Sequence, residues 1–305
     1  MDEVRKIDKR ESLRVVSDNH IVEAKDLSTL SLNARKLFYV AISQCKKNDK
    51  EFYTYETTPA ELAEMWGIDR SNVYREADKI TDELMKIIIN IDPVKGKHFK
   101  KRHLFELCDY NEDSVLFFKL HNEMTDMLLG LKRDFSKPLV WDFMRMRSPY
   151  SMALWHLFQK EMHSFKPMMS APIEFDLSLE ELRRVTGCEN KLKQIGEFKK
   201  RVLDKALIEI KRNCYVDITY ENIKTGRTVT GFRFTAQNIF GSYKIEDLEP
   251  RMQKRVRRAQ LINKKAAGAL TADEFDELQI LDCELGQISL ADYDNNGQYK
   301  GDGEW

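Results

Sequence analysis

ELAEMWGI at residues 61–68 and ELRRVTGC at residues 181–188 are the two stretches on which the fold turns. Both run Glu-Leu-x-x-hydrophobic-x-Gly, each after strand-like residues and before a basic helical stretch. Glu61 and Glu181, Leu62 and Leu182, and Gly67 and Gly187 are all 120 residues apart. The same offset joins Leu37-Phe38 to Leu157-Phe158. A Glu-Leu…Gly match alone is weak, so the test of a repeat is whether the surrounding elements follow in the same order.

They do. In the first unit Ser31 is placed to cap a helix reaching about Cys45, FYTYETT reads as a strand, and Pro59 opens a two-turn helix that breaks at Gly67. Asp69 or Ser71 then caps SNVYREADKITDELMKIII, whose Val73, Ala77, Ile80 and Leu84 form one apolar stripe. A short helix, a turn with glycine and a longer helix with a polar outer face is a helix-turn-helix. KRHLFELCDY and SVLFFKLH follow, joined at Asn111-Glu112-Asp113, as a β-hairpin or wing. The loop before it, 94–104, carries Lys95, Lys97, Lys100, Lys101 and Arg102 with no acid. The second unit repeats the series. PYSMALWHLFQKEM is a helix, IEFDLS a strand, LEELRRVTGC the short helix and turn, and QIGEFKKRVLDKALIEIKRN the long helix. VDITYENIKTGRTVTGFRFTA is a hairpin turning at Lys224-Thr225-Gly226. Phe198, Val202, Ala206 and Ile210 face inward. The expected fold is α+β: tandem winged helices with a charged helical C-terminal tail. The expected divisions are a charged N-terminal segment 1–19, a first winged helix 20–131, a linker 132–147, a second winged helix 148–243 and the tail 244–305.

Three hundred and five residues with 42% hydrophobic composition fit two domains of ordinary size. No apolar run approaches the roughly 20 residues needed to span a bilayer. The N-terminus is charged from its second residue, so no signal peptide is expected. Cys45, Cys108, Cys188, Cys214 and Cys283 stand singly, as in a reduced cytosolic protein. Fifty basic and fifty acidic residues cancel, but unevenly: 190–212 holds eight bases against three acids, and 69–86 four against five. From Arg251 to Lys265 there are seven bases and no acid, and from Asp273 to Glu304 ten acids and one base. Two readings of that tail follow: a mobile anionic end that competes with DNA for the basic helices, or a folded helical hairpin in which acids pair with bases.

Catalytic readings fare poorly. Gly96-Lys97 lacks the rest of a phosphate loop. None of His20, His98, His103, His121, His156 and His163 forms the spaced pair that a rolling-circle nicking enzyme uses to hold a metal. His156 and His163 read as two residues on one helix face. Trp66, Trp141 and Trp155 read as core or interdomain packing, and Arg145, Arg147, Lys160 and Lys166 as surface between the domains. No enzyme activity, cofactor or metal is expected.

At FKKRVLDKALIEIKRNCYVDITYENIKTGRTVTGFRF the chain resembles the theta-type (iteron) plasmid replication initiators of the RepE and pi kind. The phrase is carried by Phe198, Lys199, Val202, Leu203, Ala206, Glu209, Ile210, Lys224, Gly226 and Arg227. LNARKLFYVAI, PAELAEMWGID and SPYSMALWHLFQK are similar landmarks, and the likeness runs from about His20 to Asn238. It implies binding to directly repeated origin sites, opening of an AT-rich stretch, recruitment of host helicase or initiator proteins, and plasmid copy control. It also implies monomer and homodimer forms, the dimer repressing its own gene at an inverted repeat. The second domain would make the main major-groove contacts. A tandem winged-helix repressor, or an adaptor binding a helicase or its loader without DNA specificity, are the alternatives.

Physical reasoning agrees with double-stranded DNA as the partner. Two recognition helices on one chain can read successive major-groove faces about one turn apart, bases neutralising phosphates and a few side chains reading base edges. The candidate contacts are Arg70, Asn72, Arg75 and Lys79 on the first helix and Lys100 and Lys101 before its wing. On the second unit they are Lys193, Lys199, Lys200, Arg201 and Lys205 on the helix, with Lys224 and Arg227 on the wing.

Overall fold

The computed structural model describes residues 4–9, 13–22, 24–46, 49–90, 100–129, 131, 135–162, 171–239 and 244–285. Its elements follow from local chemistry. After Val4–Lys6 (β1), Ser17–Asp18 (β2), Asn19–Val22 (α1) and a 3-10 turn at Lys25–Thr29, Ser31 caps Leu32–Ser43 (α2) by accepting the Ala34 amide. Thr54–Thr57 (β3) leads to Pro59–Trp66 (α3), which starts in a capping box. Thr58 Oγ1 accepts the Glu61 amide at 3.2 Å, and the Glu61 carboxylate accepts the Thr58 amide at 3.0 Å. Gly67 ends α3 at φ 63°, and Gly187 holds the matching place at φ 65°, left-handed positions where a side chain would be strained. That backbone demand is the reason for the recurring glycine.

Arg70–Lys86 (α4) is followed by a small antiparallel pair, Ile88–Asn90 (β4) and Lys101–His103 (β5), and then by the hairpin Phe105–Tyr110 (β6) and Leu116–Leu120 (β7). Next come Thr125–Leu128 (α5), Phe135–Ser136 (β8) and Val140–Met144 (α6). The second unit holds Pro149–Glu161 (α7), Ile173–Ser178 (β9), Leu179–Val185 (α8) and Ile195–Phe198 (α9). A π-helical turn at Lys199–Leu203, Asp204–Cys214 (α10), Val216–Thr225 (β10) and Thr228–Asn238 (β11) complete it. The sheets run β1-β3-β7-β6 and β10-β11-β9. In both, the strand before the helix-turn-helix pairs with the last strand of the hairpin. The repeat is therefore one of topology, and the fold is α+β with two winged helices.

The described residues of the segments read as a charged lead and a linker include strands and a helix. Arg5 of β1 pairs with Tyr55 of β3 in a parallel register, and β2 pairs with β8. Val15, Val16, Phe143 and Met144 are buried. One continuous apolar cluster takes in both units, and α2 and α7 are buried on nearly every side where they meet. Both carry apolar residues on most faces, though α2 also buries Arg35 and Lys36. His156 of α7 sits in this joint: its Nδ1 lies 3.0 Å from Tyr39 Oη and its Nε2 2.9 Å from Ser136 Oγ. Burial, with Arg35 adding a like charge, lowers its pKa to about 3, so the ring is neutral. Trp66 and Trp155 are buried and Trp141 packs against the same core.

Lys36 of α2 is 2% exposed beside the Trp66 ring, and burial lowers its pKa to about 8 despite the nearby Glu209 carboxylate; Arg147 and Arg145 push the same way as burial. A lowered base pKa means that the unfolded chain holds the proton up to about pH 10.5 while the folded chain releases it near 8. Stability from this group therefore rises with pH across that window. Melting of wild type and Lys36→Met from pH 7 to 10 should show wild type gaining on the variant, by roughly 3 kcal/mol over the whole window. A pH-independent difference between the two would show that Lys36 is not held in this state.

The tail folds as Pro250–Ala266 (α11) and Ala272–Glu284 (α12), two helices packed on each other. Leu261 meets Leu278 and Leu281, and Leu248, Met252 and Val256 pack on Tyr215 at the end of α10. Arg257 binds Glu277 through two nitrogens, Arg258 binds Asp282, and Lys254 reaches Glu284 at 3.1 Å. Arg255 lies 3.7 Å from Asp142 of α6. Of the two tail readings, Glu274, Glu277, Asp282 and Glu284 follow the folded one, each pairing with a base of α11. Residues 286–305, like Lys95, Lys97, His163 and Lys166, lie outside the described residues.

Candidate nucleic-acid interface

On α4 the Asp69 side chain accepts the Ser71 amide at 2.8 Å and its hydroxyl at 2.5 Å, and these bonds hold the Asp69 carboxyl below its usual range. Val73, Ala77, Ile80 and Leu84 are buried, as their spacing requires. Arg70, Arg75 and Lys79 are exposed on the opposite side. Asn72 is half-buried and accepts from Arg75 Nη2 at 2.8 Å, so the two form one joined polar group rather than separate arms. The net charge of this helix misleads about its outer face. Glu76 accepts from Asn33 Nδ2 at 2.7 Å, Glu83 from the Ser31 amide at 2.8 Å, and Asp69 is spent on its own cap. Those three acids are engaged in fastening the helix, not in repelling a phosphate.

The second recognition helix begins later than the repeat suggests. Gly67 is followed two residues on by the cap of α4, whereas Gly187 is followed by a loop running to the cap at Gln194. Arg183 of α8 shapes that loop. Its Nη1 donates to the carbonyls of Cys188 and Lys191, both at 2.9 Å, and its Nη2 to those of Leu192 at 2.9 Å and Lys193 at 3.1 Å. The same guanidinium lies 4.8 Å from the centre of the Phe198 ring, on the first helical turn. Lys193 is accordingly a loop residue, exposed, and not part of the helix face on which its spacing had placed it.

The π turn at Lys199–Leu203 makes one wide turn in an otherwise α-helical rod. Lys200, Arg201 and Lys205 are exposed, and Arg201 pairs with Glu197 at 2.6 Å. Lys199 is turned away from them. It is half-buried, its Nζ 5.1 Å from the centre of the Tyr220 ring and donating to Asn222 Oδ1 at 3.4 Å, so it braces the helix against β10. Asp204 and Lys211 face the same hairpin, through the Tyr220 hydroxyl at 2.7 Å and Asp217 at 2.6 Å.

The wings differ. Between β10 and β11 the chain reverses over Gly226-Arg227, two residues past the start of the expected turn, with Gly226 at φ 62°. Lys224 and Arg227 are both exposed there. The β6–β7 turn instead carries Glu112 and Asp113, an acidic tip. Lys101 opens β5 of the neighbouring β4–β5 pair, an element the sequence pattern did not reveal, with Lys100 just before it, and both are exposed.

Among the described residues no group of three or more His, Cys, Asp or Glu side chains is placed to hold a metal, and no helix is long and apolar enough to cross a membrane. What the geometry offers is two polar helix faces rich in Lys and Arg, each mounted on a buried apolar stripe, with one basic wing.

Comparison with known proteins also finds two domains, the first match reaching through most of α7. Residues 14–159 match the model of the initiator replication protein WH1 domain, and residues 178–236 that of the initiator Rep protein WH2 domain. The PI protein of Escherichia coli is 24% identical over 237 residues, 68% of this chain and 78% of that protein. A crystal structure of the Pi initiator protein in complex with iteron DNA superposes with a TM-score of 0.63 at 20% identity, covering 75% of this chain and 98% of that one. With the two domain models together spanning most of the chain, and the order of strands and helices matching between its halves, the chain belongs to the family of theta-type plasmid replication initiator proteins.

Proposed function

We propose that the protein binds directly repeated duplex sites at a plasmid origin through both winged helices, promotes opening of the adjacent duplex and gathers host replication proteins there. It acts in the bacterial cytoplasm without catalysis of its own, and a dimeric form represses its own gene at an inverted repeat. The observation that carries this reading is the doubled winged helix with Lys and Arg exposed on both recognition helices, in a chain similar to a Pi initiator solved on iteron DNA. Footprinting of the DNA flanking its gene tests it. Protection confined to repeated sequence, together with maintenance of a plasmid carrying only the gene and that segment, is expected. Uniform protection removes the specific-binding reading, and specific protection without plasmid maintenance leaves a repressor in place of an initiator.

The folded tail changes the reason that removing it should strengthen binding. Arg257, Arg258 and Lys264 are matched by Glu277, Asp282 and Glu274 of α12. Deleting residues 271–305 unmasks a basic helix rather than a competitor. Non-specific affinity should rise and its salt dependence steepen, by about 0.9 in log–log slope for each new phosphate contact. An unchanged slope in low salt counts against it.

A further inference from the structure

One exposed side chain on the second recognition helix is not a charge. Ile208 is 70% exposed in the middle of α10, between Lys205 and Arg212 on the outward ridge, all three at helical spacing. The flank beside it is fastened to β10 through Asp204 and Lys211, so the ridge itself is left to solvent. A β-branched residue there gains nothing for the fold: it is a poorer helix former than Ala, Lys or Arg and buries little of its surface. A lone exposed apolar residue is too small to be a protein-docking patch. In the major groove, however, the distinctive apolar feature is the C5-methyl group of thymine, and an apolar side chain reads it by contact. Ile also has few rotamers to lose when it does so.

We propose that Ile208 is a specificity-determining residue that contacts a thymine methyl within the site. This rests on the DNA-binding reading above and adds to it the identity of a base position. The test needs no natural site. The full chain selects duplexes from a random-sequence library, and the enriched duplex is the probe. Each thymine in it is then replaced in turn by deoxyuridine, which keeps the base pair and lacks the methyl. Wild type is expected to lose about fourfold in affinity at one or two positions, the factor for burying one methyl-sized group. Ile208→Ala should lose about as much on the parent duplex and be indifferent to uracil at those positions, with Ile208→Val between the two. Wild type indifferent to every uracil, or both proteins losing equally at every position, overturns the inference while leaving specific DNA binding intact. A library that enriches no sequence removes the DNA-reading function and this inference with it. Ile208→Ala should melt with wild type; a markedly lower melting temperature overturns the exposure on which the inference stands.

Discussion

Replacing Lys200 and Arg201 together with alanine is expected to lower affinity for the specific duplex by about a hundredfold, with the melting temperature unchanged. Both side chains leave the helix at its π turn, and the Arg201 side chain is 63% exposed, held by Glu197 in an ion pair that is itself open to water. Such exposed pairs contribute little to stability, so the guanidinium exchanges a carboxylate for a phosphate or base at small cost. If one of the two reads a base and the other a phosphate, the first accounts for roughly 1–3 kcal/mol on the specific site alone. The second lowers the slope of log affinity against log salt by about 0.9 on any sequence. Arg70→Ala with Arg75→Ala should cost about tenfold and leave a weaker but specific complex. The contrast is narrower than net charge suggests, because Glu76 and Glu83 of α4 are turned toward α2. The second helix keeps the advantage through its ridge of Arg201, Lys205 and Arg212, whereas Asp78 lies exposed between Arg75 and Lys79 on the first. Titrations at several salt concentrations decide. Equal losses, or a larger loss from the first pair, reverse the division of labour between the domains.

Arg183→Ala should be the most damaging single substitution outside the apolar core. One planar fork holds four carbonyls of the loop between Cys188 and Lys193 and lies against Phe198. With the fork gone, water replaces the outer bonds but not the inner ones, and a net loss of about 2–4 kcal/mol follows from the usual range for hydrogen bonds to charged groups. In a chain of this size that corresponds to a melting temperature lower by roughly 3–6 °C. Specific DNA affinity should fall further than non-specific affinity, because the entry angle of the recognition helix is set by the loop. Arg183→Lys is the informative control: a single ammonium cannot bridge four carbonyls in a plane. If the lysine variant melts with wild type, charge alone suffices and the fork is not what holds the loop.

The parts of this structure that were legible in the sequence are those decided within a few residues. Ser31, Pro59 and Gly67 announce their helix ends because the cap and the left-handed turn are local demands. The stripes Val73–Leu84 and Phe198–Ile210 follow from periodicity, and they placed Lys200, Arg201 and Lys205 outside. Where the deciding partner is distant, the reading failed. Three residues of β1 carry no strand signal of their own and pair only because β3 offers an open edge. Lys193 was counted on the helix because spacing gives no notice that Arg183 would claim the carbonyls before it. Lys199 stands among the candidate contacts, and its commitment to Tyr220 and Asn222 of β10 is set by tertiary packing, not by spacing. The acidic β6–β7 tip was visible in the sequence but overshadowed by the basic residues preceding it. His156 showed nothing of its role, since Tyr39 and Ser136 reach it from other parts of the chain.

The central claim is that two winged helices on one chain engage one site together, and hydroxyl-radical footprinting at saturating protein tests it most directly. Wild type should protect two patches on one face of the duplex, about one helical turn, roughly 10.5 base pairs, apart. Lys200→Ala with Arg201→Ala should weaken one patch, and Arg70→Ala with Arg75→Ala the other. A single patch that the Arg70 and Arg75 substitutions leave untouched contradicts the account, because the first winged helix would then have no part in reading the site.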